Sequence, residues 1–304
     1  MSRFAWSTVC TLVALGLILI LMDPEGCRPF VLMSLCGGYI VLLAIGSLTP
    51  RLDFYLRAAR RGPTDRPWVA LTFDDGPDPA TTPLLLELLR RERIAATFFF
   101  VGEAARRYPD LVARVAAEGH LIGNHSDRHG YRWTVASTER LFAEFAAANQ
   151  TLTDLSGQPP RFARTPAGVS RPHLAEVLQR LRLRNVAWDV RGLEGFYRDP
   201  ERIAARVGRR ARNGSIILLH ELYYGMPCFE PRQALATAQL TIERLRGRGF
   251  RFVRLDRLLE QVDPVVLSRD QNTALEAGAA LIESGVDPTM GYRDDAAPPA
   301  GRAA

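Results

Sequence analysis

The chain has 304 residues, 47% of them apolar and 24% charged, which excludes a mainly disordered or collagen-like protein and leaves room for one large domain or two. The net charge of +6 rests on 39 basic residues, every one an arginine. These alternate with Asp and Glu along helical stretches such as residues 90–93 instead of clustering with aromatics on one face, so nucleic acid is excluded as an expected partner.

The first elements are two apolar segments, residues 4–22 and 30–48, each 19 residues without a charge. Either is long enough to cross a hydrocarbon core of about 30 Å as a helix. Between them Asp23 to Pro29 supplies a polar turn with two prolines and a glycine, so an antiparallel transmembrane hairpin is expected over residues 1–50. Met22-Asp23-Pro24 is a poor cleavage site, which argues against a removed signal peptide. Of the four cysteines, Cys10 and Cys36 lie in the apolar runs, Cys27 lies in the turn between them and Cys228 stands alone in the remainder. Neither a disulfide framework nor a cysteine zinc site is available. Residues 51–65, with Arg51, Arg57, Arg60 and Arg61, are expected to form a basic juxtamembrane linker facing anionic headgroups.

From residue 66 to 262 short β-branched or aromatic runs alternate with longer segments of helical period. Strands are expected at residues 68–73, 96–101, 120–123, 185–189, 215–220 and 251–254. Helices are expected at 83–93, 109–118, 137–155, 171–182, 200–212 and 231–248, several opened by proline at the first helical position. Such alternation predicts parallel strands with crossover helices, an α/β barrel or a doubly wound sheet. Residues 263–304 are read as a C-terminal extension, which from about residue 287 is rich in Gly, Pro, Ala and charge and is expected to be disordered there.

Reactive side chains concentrate where apolar runs stop. Leu71-Thr72-Phe73-Asp74-Asp75-Gly76-Pro77 sets two carboxylates side by side, which repel when buried and need a cation. His125-Ser126-Asp127-Arg128-His129 offers two imidazoles four residues apart, which in a helical turn would face one divalent ion together. Arg164 to Gly168 follows Phe162, and Ile216 to Leu219 leads into His220-Glu221. In a parallel barrel these groups converge at the carboxyl ends of the strands.

In this order and spacing the motifs resemble those of the polysaccharide deacetylases with a NodB homology domain, carbohydrate esterase family 4, whose members remove N-acetyl groups from chitin, chito-oligosaccharides and peptidoglycan. The resemblance covers residues 67–259 and implies a distorted (β/α) barrel of about seven parallel strands. It also implies one divalent metal ion, zinc in the first instance, and an N-acetylated carbohydrate as substrate. Carried over residue by residue, Asp75, His125 and His129 would hold the metal and Asp74 would be the general base. His220 would be the general acid, and Arg164 would pair with Asp74. The backbone near Ala167 would assist at the oxyanion, and Leu218 would line the pocket for the acetyl methyl.

Two departures stand out. Ala167 replaces the usual aromatic of the third motif, and Arg191-Gly192-Leu193-Glu194-Gly195 stands where the fourth motif carries Asp-x-x-Asp-Trp. The aspartate that tunes the catalytic histidine is thus an arginine here, with Asp189 as a conceivable substitute. The alternative to an active enzyme is a catalytically degenerate sugar-binding membrane protein, with His220 left untuned.

Topology follows from charge. Arg3, Arg51, Arg57, Arg60 and Arg61 flank one side of the hairpin and Arg28 the other. By the positive-inside rule the N-terminus and the catalytic domain are expected in the cytoplasm, on a two-pass anchor in a bacterial inner membrane. The resemblance alone would instead imply an extracytoplasmic wall polymer as substrate.

Overall fold

The computed structural model describes residues 2–24, 26–130, 137–222 and 230–260. Helices α1 (Arg3–Leu21) and α2 (Arg28–Leu48) come first. There follow β1 (Trp68–Asp74), α3 (Thr82–Arg91), β2 (Thr97–Phe100), α4 (Gly102–Arg107), α5 (Pro109–Ala117), β3 (Leu121–Asn124), α6 (Thr138–Ser156), β4 (Phe162–Ala163) and α7 (Leu174–Arg180). The chain continues through β5 (Arg184–Asn185), β6 (Val190–Arg191), α8 (Pro200–Arg210), β7 (Ile216–His220), α9 (Pro231–Gly247), β8 (Arg251–Phe252) and α10 (Leu255–Glu260). Cys228, the last two residues of the expected domain and the extension 263–304 lie outside the described residues.

Every named strand pair is parallel, in the order β5-β4-β3-β2-β1-β7-β6, with β8 on the first residues of β1. The result is a curled half-barrel of seven strands. Strand β1 is buried along its whole length, as expected of a parallel strand covered on both faces. Successive side chains alternate between the faces. Val69, Leu71 and Phe73 join Phe98, Phe100, Ile217 and Leu219 under helices α3, α5 and α9. Thr72 and Asp74 therefore point to the opposite, inner face, as do Leu218 and His220 on β7.

The expected strand over 185–189 does not exist as one element. Only Asn185 is in a strand, as the last residue of β5; β6 begins at Val190, and β5 and β6 lie at opposite edges of the sheet, so residues 186–189 cross the open side of the half-barrel. Part of that gap is filled by the expected linker. Ala59 N–H donates to the Asn185 carbonyl and the Ala59 carbonyl accepts from Ala187 N–H, both at 2.9 Å, and Gly62 N–H donates to the Gly214 carbonyl at 2.8 Å. Arg60 forms a bidentate pair with Asp53 at 2.6 and 2.7 Å.

Helices α1 and α2 pack side by side, with Thr8 Oγ1 and Tyr39 Oη 2.6 Å apart, and both are long and apolar enough to cross a membrane. Large apolar side chains such as Trp6, Leu12, Ile20, Phe30 and Ile40 are exposed along them. The pair is joined tightly to the domain. Phe4 N–H donates to the Phe54 carbonyl at 3.0 Å, Ser170 N–H donates to the Ser47 carbonyl at 2.9 Å, and the Tyr55 hydroxyl donates to the Leu43 carbonyl at 3.1 Å. Gly46 has no room for a Cβ because the Phe54 ring lies on it.

His120 precedes β3 and is a buried structural group. Its Nδ1 accepts from Ala96 N–H at 3.1 Å, and its ring meets Phe98 edge-on at 5.4 Å. Burial, with the nearby Arg254 charge, pushes its pKa down to about 4. The folded state therefore keeps His120 neutral while the unfolded chain takes up a proton near pH 6.5, so this contribution to stability is complete above pH 6.5 and is lost as the pH falls towards 4. Denaturant midpoints at pH 7 and pH 5 test this: wild type is expected to lose about 2 kcal/mol more than His120→Asn over that step, since Asn retains an acceptor without the titration.

Candidate active site

The inner ends of β1, β3, β4 and β7 bring the candidate residues together. Asp74 is the last residue of β1 and pairs in register with His220, the last of β7. Asp75 follows with φ of 76°, a left-handed turn that directs its carboxylate toward the end of β3. There Asp75 Oδ1 lies 3.2 Å from His125 Nε2 and 3.0 Å from His129 Nε2. The ligand atoms of Asp75, His125 and His129 all fall within 4.8 Å of one another, the one such group among the described residues.

The two imidazoles do not share a helical turn, as their spacing had suggested. They lie on a loop after β3 in which Ser126 and His129 both have positive φ, 67° and 53°. That conformation is unfavourable for side chains other than glycine and needs support. Ser126 N–H donates to Asn124 Oδ1 at 2.9 Å, Ser126 Oγ accepts from His129 N–H at 3.2 Å, and Arg128 N–H donates to Glu144 at 2.7 Å. Buried Asp127 is held by Arg106 in a bidentate pair at 2.7 and 2.9 Å. His125 Nδ1–H donates to the Arg164 carbonyl at 2.7 Å, which fixes the tautomer and leaves the Nε2 lone pair turned to the cluster.

Arg164 is fully buried behind Asp74. Its Nη1 donates to Asp74 Oδ1 at 2.6 Å and to Thr72 Oγ1 at 2.8 Å, its Nη2 donates to the Ala187 carbonyl at 3.2 Å, and its guanidinium lies 4.1 Å from the Phe99 ring centre. Burial lowers the Arg164 pKa and the Asp74 charge opposes it. Asp74 Oδ2 is left 3.8 Å from His125 Nε2. Ala167 is exposed on the short turn Pro166–Gly168 with φ of 54°, while Leu218 is buried two residues before His220 on the same face of β7.

Glu194, whose place beside His220 the sequence did not disclose, completes the cluster of buried polar groups. Its Oε2 lies 3.4 Å from His220 Nδ1; Glu194 is buried and His220 is partly buried. Leu193, with φ of 69°, turns the chain back toward β7, and Gly192 makes room, since a Cβ there would come within 2.8 Å of the Glu194 carboxylate. Asp189, the substitute considered from sequence, is engaged elsewhere: its Oδ2 accepts from Arg212 at 3.2 Å and from Ser215 Oγ at 3.0 Å. Arg191 is exposed and points to the surface. Burial would lower the His220 pKa, but the Glu194 carboxylate outweighs it and raises it to about 9.

Other shifts show what the pocket favours. Burial would raise the Asp75 pKa, yet hydrogen bonds from His125 and His129 hold it well below the usual carboxylate range. His125 is raised against its own burial by Asp74 and Asp75. The pocket thus stabilises positive charge at the imidazoles and negative charge on Asp75. Glu221 is not poised for chemistry: its carboxyl is buried under Gly76, accepts from the Thr82 hydroxyl and is pushed up to about 8 by burial.

Comparison with known proteins places these residues in context. The family model "Polysaccharide deacetylase" matches residues 61–186. The chitooligosaccharide deacetylase of Azorhizobium caulinodans is 32% identical over 192 residues, covering 60% of this chain and 90% of that protein. The peptidoglycan-N-acetylglucosamine deacetylase of Listeria monocytogenes is 31% identical over 190 residues, 62% of this chain, and the match spans 38% of that longer relative. Among solved structures, a peptidoglycan N-acetylglucosamine deacetylase in complex with 4-naphthalen-1-yl-N-oxidanyl-benzamide superposes with a TM-score of 0.62 at 30% identity, over 67% of this chain and 92% of that one.

The Asp75, His125 and His129 cluster predicts about one divalent ion per chain, bound more weakly as the pH falls because the imidazoles must be deprotonated. Equilibrium dialysis with metal analysis of the purified full chain checks this. The His125→Ala/His129→Ala double variant is expected to retain less than about a tenth of the metal.

Proposed function

The chain belongs to the polysaccharide deacetylase family, and on that footing we propose that it is a membrane-anchored, metal-dependent hydrolase that removes N-acetyl groups from an N-acetylated carbohydrate. One observation carries the reading: a three-ligand cluster with Asp74 and Arg164 on one side and His220 and Glu194 on the other. Those residues fit a divalent ion, because the donor set is two imidazoles and a carboxylate and the His125 tautomer is fixed with Nε2 facing the cluster. A bound ion there would supply Lewis acidity and bring the pKa of water toward neutrality. The N-hydroxy amide in the related complex is a chelating group, which supports the same assignment.

The side chains divide the work. Asp74, held by Arg164 and Thr72, accepts the proton of the attacking water as its oxygen adds to the acetamide carbon. Arg164 positions that carboxylate and touches no substrate. The turn carrying Ala167 faces the developing oxyanion, and Leu218 bounds the space for the methyl group. An amine anion is a very poor leaving group, so the C–N bond breaks as His220 delivers its proton to nitrogen, giving acetate and a free amine. Glu194 orients His220 through Nδ1 and favours its charged form. A degenerate sugar-binding protein presupposes an untuned His220, and Glu194 removes that ground.

Acetate release from N-acetylated oligosaccharides, peptidoglycan fragments and lipid-linked sugars, with and without chelator, tests the proposal. Chelator should abolish release and a divalent ion restore it. Asp74→Asn is expected to keep the metal and lose at least about 10²-fold in kcat. Glu194→Gln is expected to lose about 10- to 100-fold in kcat with metal content unchanged, whereas Asp189→Asn stays near wild type.

Orientation is proposed from the arginines at the hairpin ends, which put the domain in the cytoplasm. A fluorescent protein fused behind the full chain is expected to glow, and an export-dependent phosphatase in the same place to stay silent. The opposite pair of results would move the substrate to the cell envelope.

A further inference from the structure

Four arginines from three stretches of chain converge away from the catalytic cluster. Arg51 sits just after α2, Arg60 and Arg61 lie on the segment joining the hairpin to the domain, and Arg212 lies between α8 and β7. With Asp189 they line a cavity of about 460 Å³. Like charges brought together repel, so such a grouping needs anions. Asp53 takes Arg60 in the bidentate pair, and Asp189 takes Arg212 at 3.2 Å. Arg51 and Arg61 meet no carboxylate at ion-pair distance among the described residues, and Arg51 donates only to the Asp189 carbonyl at 3.3 Å. Both are exposed. Four guanidinium groups against two carboxylates leave two positive charges unmatched at the cavity.

Guanidinium groups present paired donors that match phosphate oxygens, which makes phosphate the anion best suited to this lining. Position decides its source. Arg51 is three residues beyond the last residue of α2, so it stays within about 10 Å of the end of that helix. Where such an apolar helix leaves a bilayer, anionic headgroups are concentrated.

We propose that the cavity lined by Arg51, Arg60, Arg61 and Arg212 binds the phosphate of an anionic membrane lipid headgroup. The site rests on the reading of α1 and α2 as membrane-spanning, and it is separate from the catalytic cluster. It would set the height and tilt of the domain at the membrane surface in addition to the anchoring by the hairpin.

The test uses the full chain in neutral detergent with dioctanoyl phosphatidic acid as probe, so that binding does not require a bilayer. Dioctanoyl phosphatidylcholine, inorganic phosphate and the variants Arg51→Gln/Arg61→Gln and Arg57→Gln are the comparisons, with circular dichroism to verify folding. Arg57 is exposed and does not line the cavity. The expected result is saturable binding of phosphatidic acid, weakened at least about 10-fold in the double variant and less than about 2-fold in Arg57→Gln. No saturable binding, equal affinity for phosphatidylcholine, equal affinity for inorganic phosphate or equal loss in Arg57→Gln would each overturn the proposal. Extraction of the chain from membranes by alkali would instead count against the membrane reading and leave the binding result standing.

Discussion

The ion pair between Arg164 and Asp74, 2.6 Å apart and closed off from solvent, is the constraint around which the half-barrel is arranged. Moving two charges out of water costs several kcal/mol per ion, so the pair persists only if its remaining donors are satisfied. Thr72 from β1, the carbonyls of Val186 and Ala187 on the crossing segment, and the face of Phe99 from β2 supply that shell. The same arginine offers its own carbonyl to His125 Nδ1. One residue thus fixes the Asp74 carboxylate through its side chain and one imidazole of the cluster through its backbone. Loss of either partner would leave a buried charge without compensation, for which about 3 to 5 kcal/mol is usual.

Strain is concentrated around this pair. Asp75, Ser126, His129, Ala167 and Leu193 all take positive φ, and each lies in or next to the site. Such conformations cost on the order of 1 kcal/mol each for side chains with a Cβ, and they recur where a side chain must be aimed against the run of the backbone. Hydrogen bonds accepted by the side chains of Asn124, Ser126 and Glu144, and the Arg106–Asp127 pair, hold the His125–His129 loop in that form. Polar groups one step removed from the cluster thereby contribute to its geometry without touching a ligand.

The parts of the site that the sequence revealed share one cause. Asp74 and His220 end apolar strands whose alternation fixes which face each side chain takes, so their convergence was legible from period and order. Glu194 was hidden because its approach to His220 depends on the turn at Leu193 and the space over Gly192, and neither leaves a periodic mark. Strands β4, β5, β6 and β8 are two residues each, too short to show a period of two, so the passage of residues 186–189 from one sheet edge to the other could not be read. Residues 59–62 bind the domain through the backbone bonds of Ala59 and Gly62, which leave no side-chain pattern, and their arginines suggested a linker.

The joint between hairpin and domain has a mechanical consequence. An enzyme on a loose leash sweeps a dome of space and can meet a polymer at many heights. Here the leash has no slack, because Phe54 sits on Gly46, Ser170 is bonded to Ser47, and the stretch after Tyr55 is used up in closing the half-barrel. Ser170 is three residues from Ala167, so the rim of the catalytic cleft is bolted to the end of α2. With the helices embedded in a bilayer as proposed, the cleft would drift sideways with the lipid but would neither rise nor stoop. A substrate carried in the same sheet of lipid is met by a two-dimensional search, whereas a strand held at a distance must be delivered to the mouth.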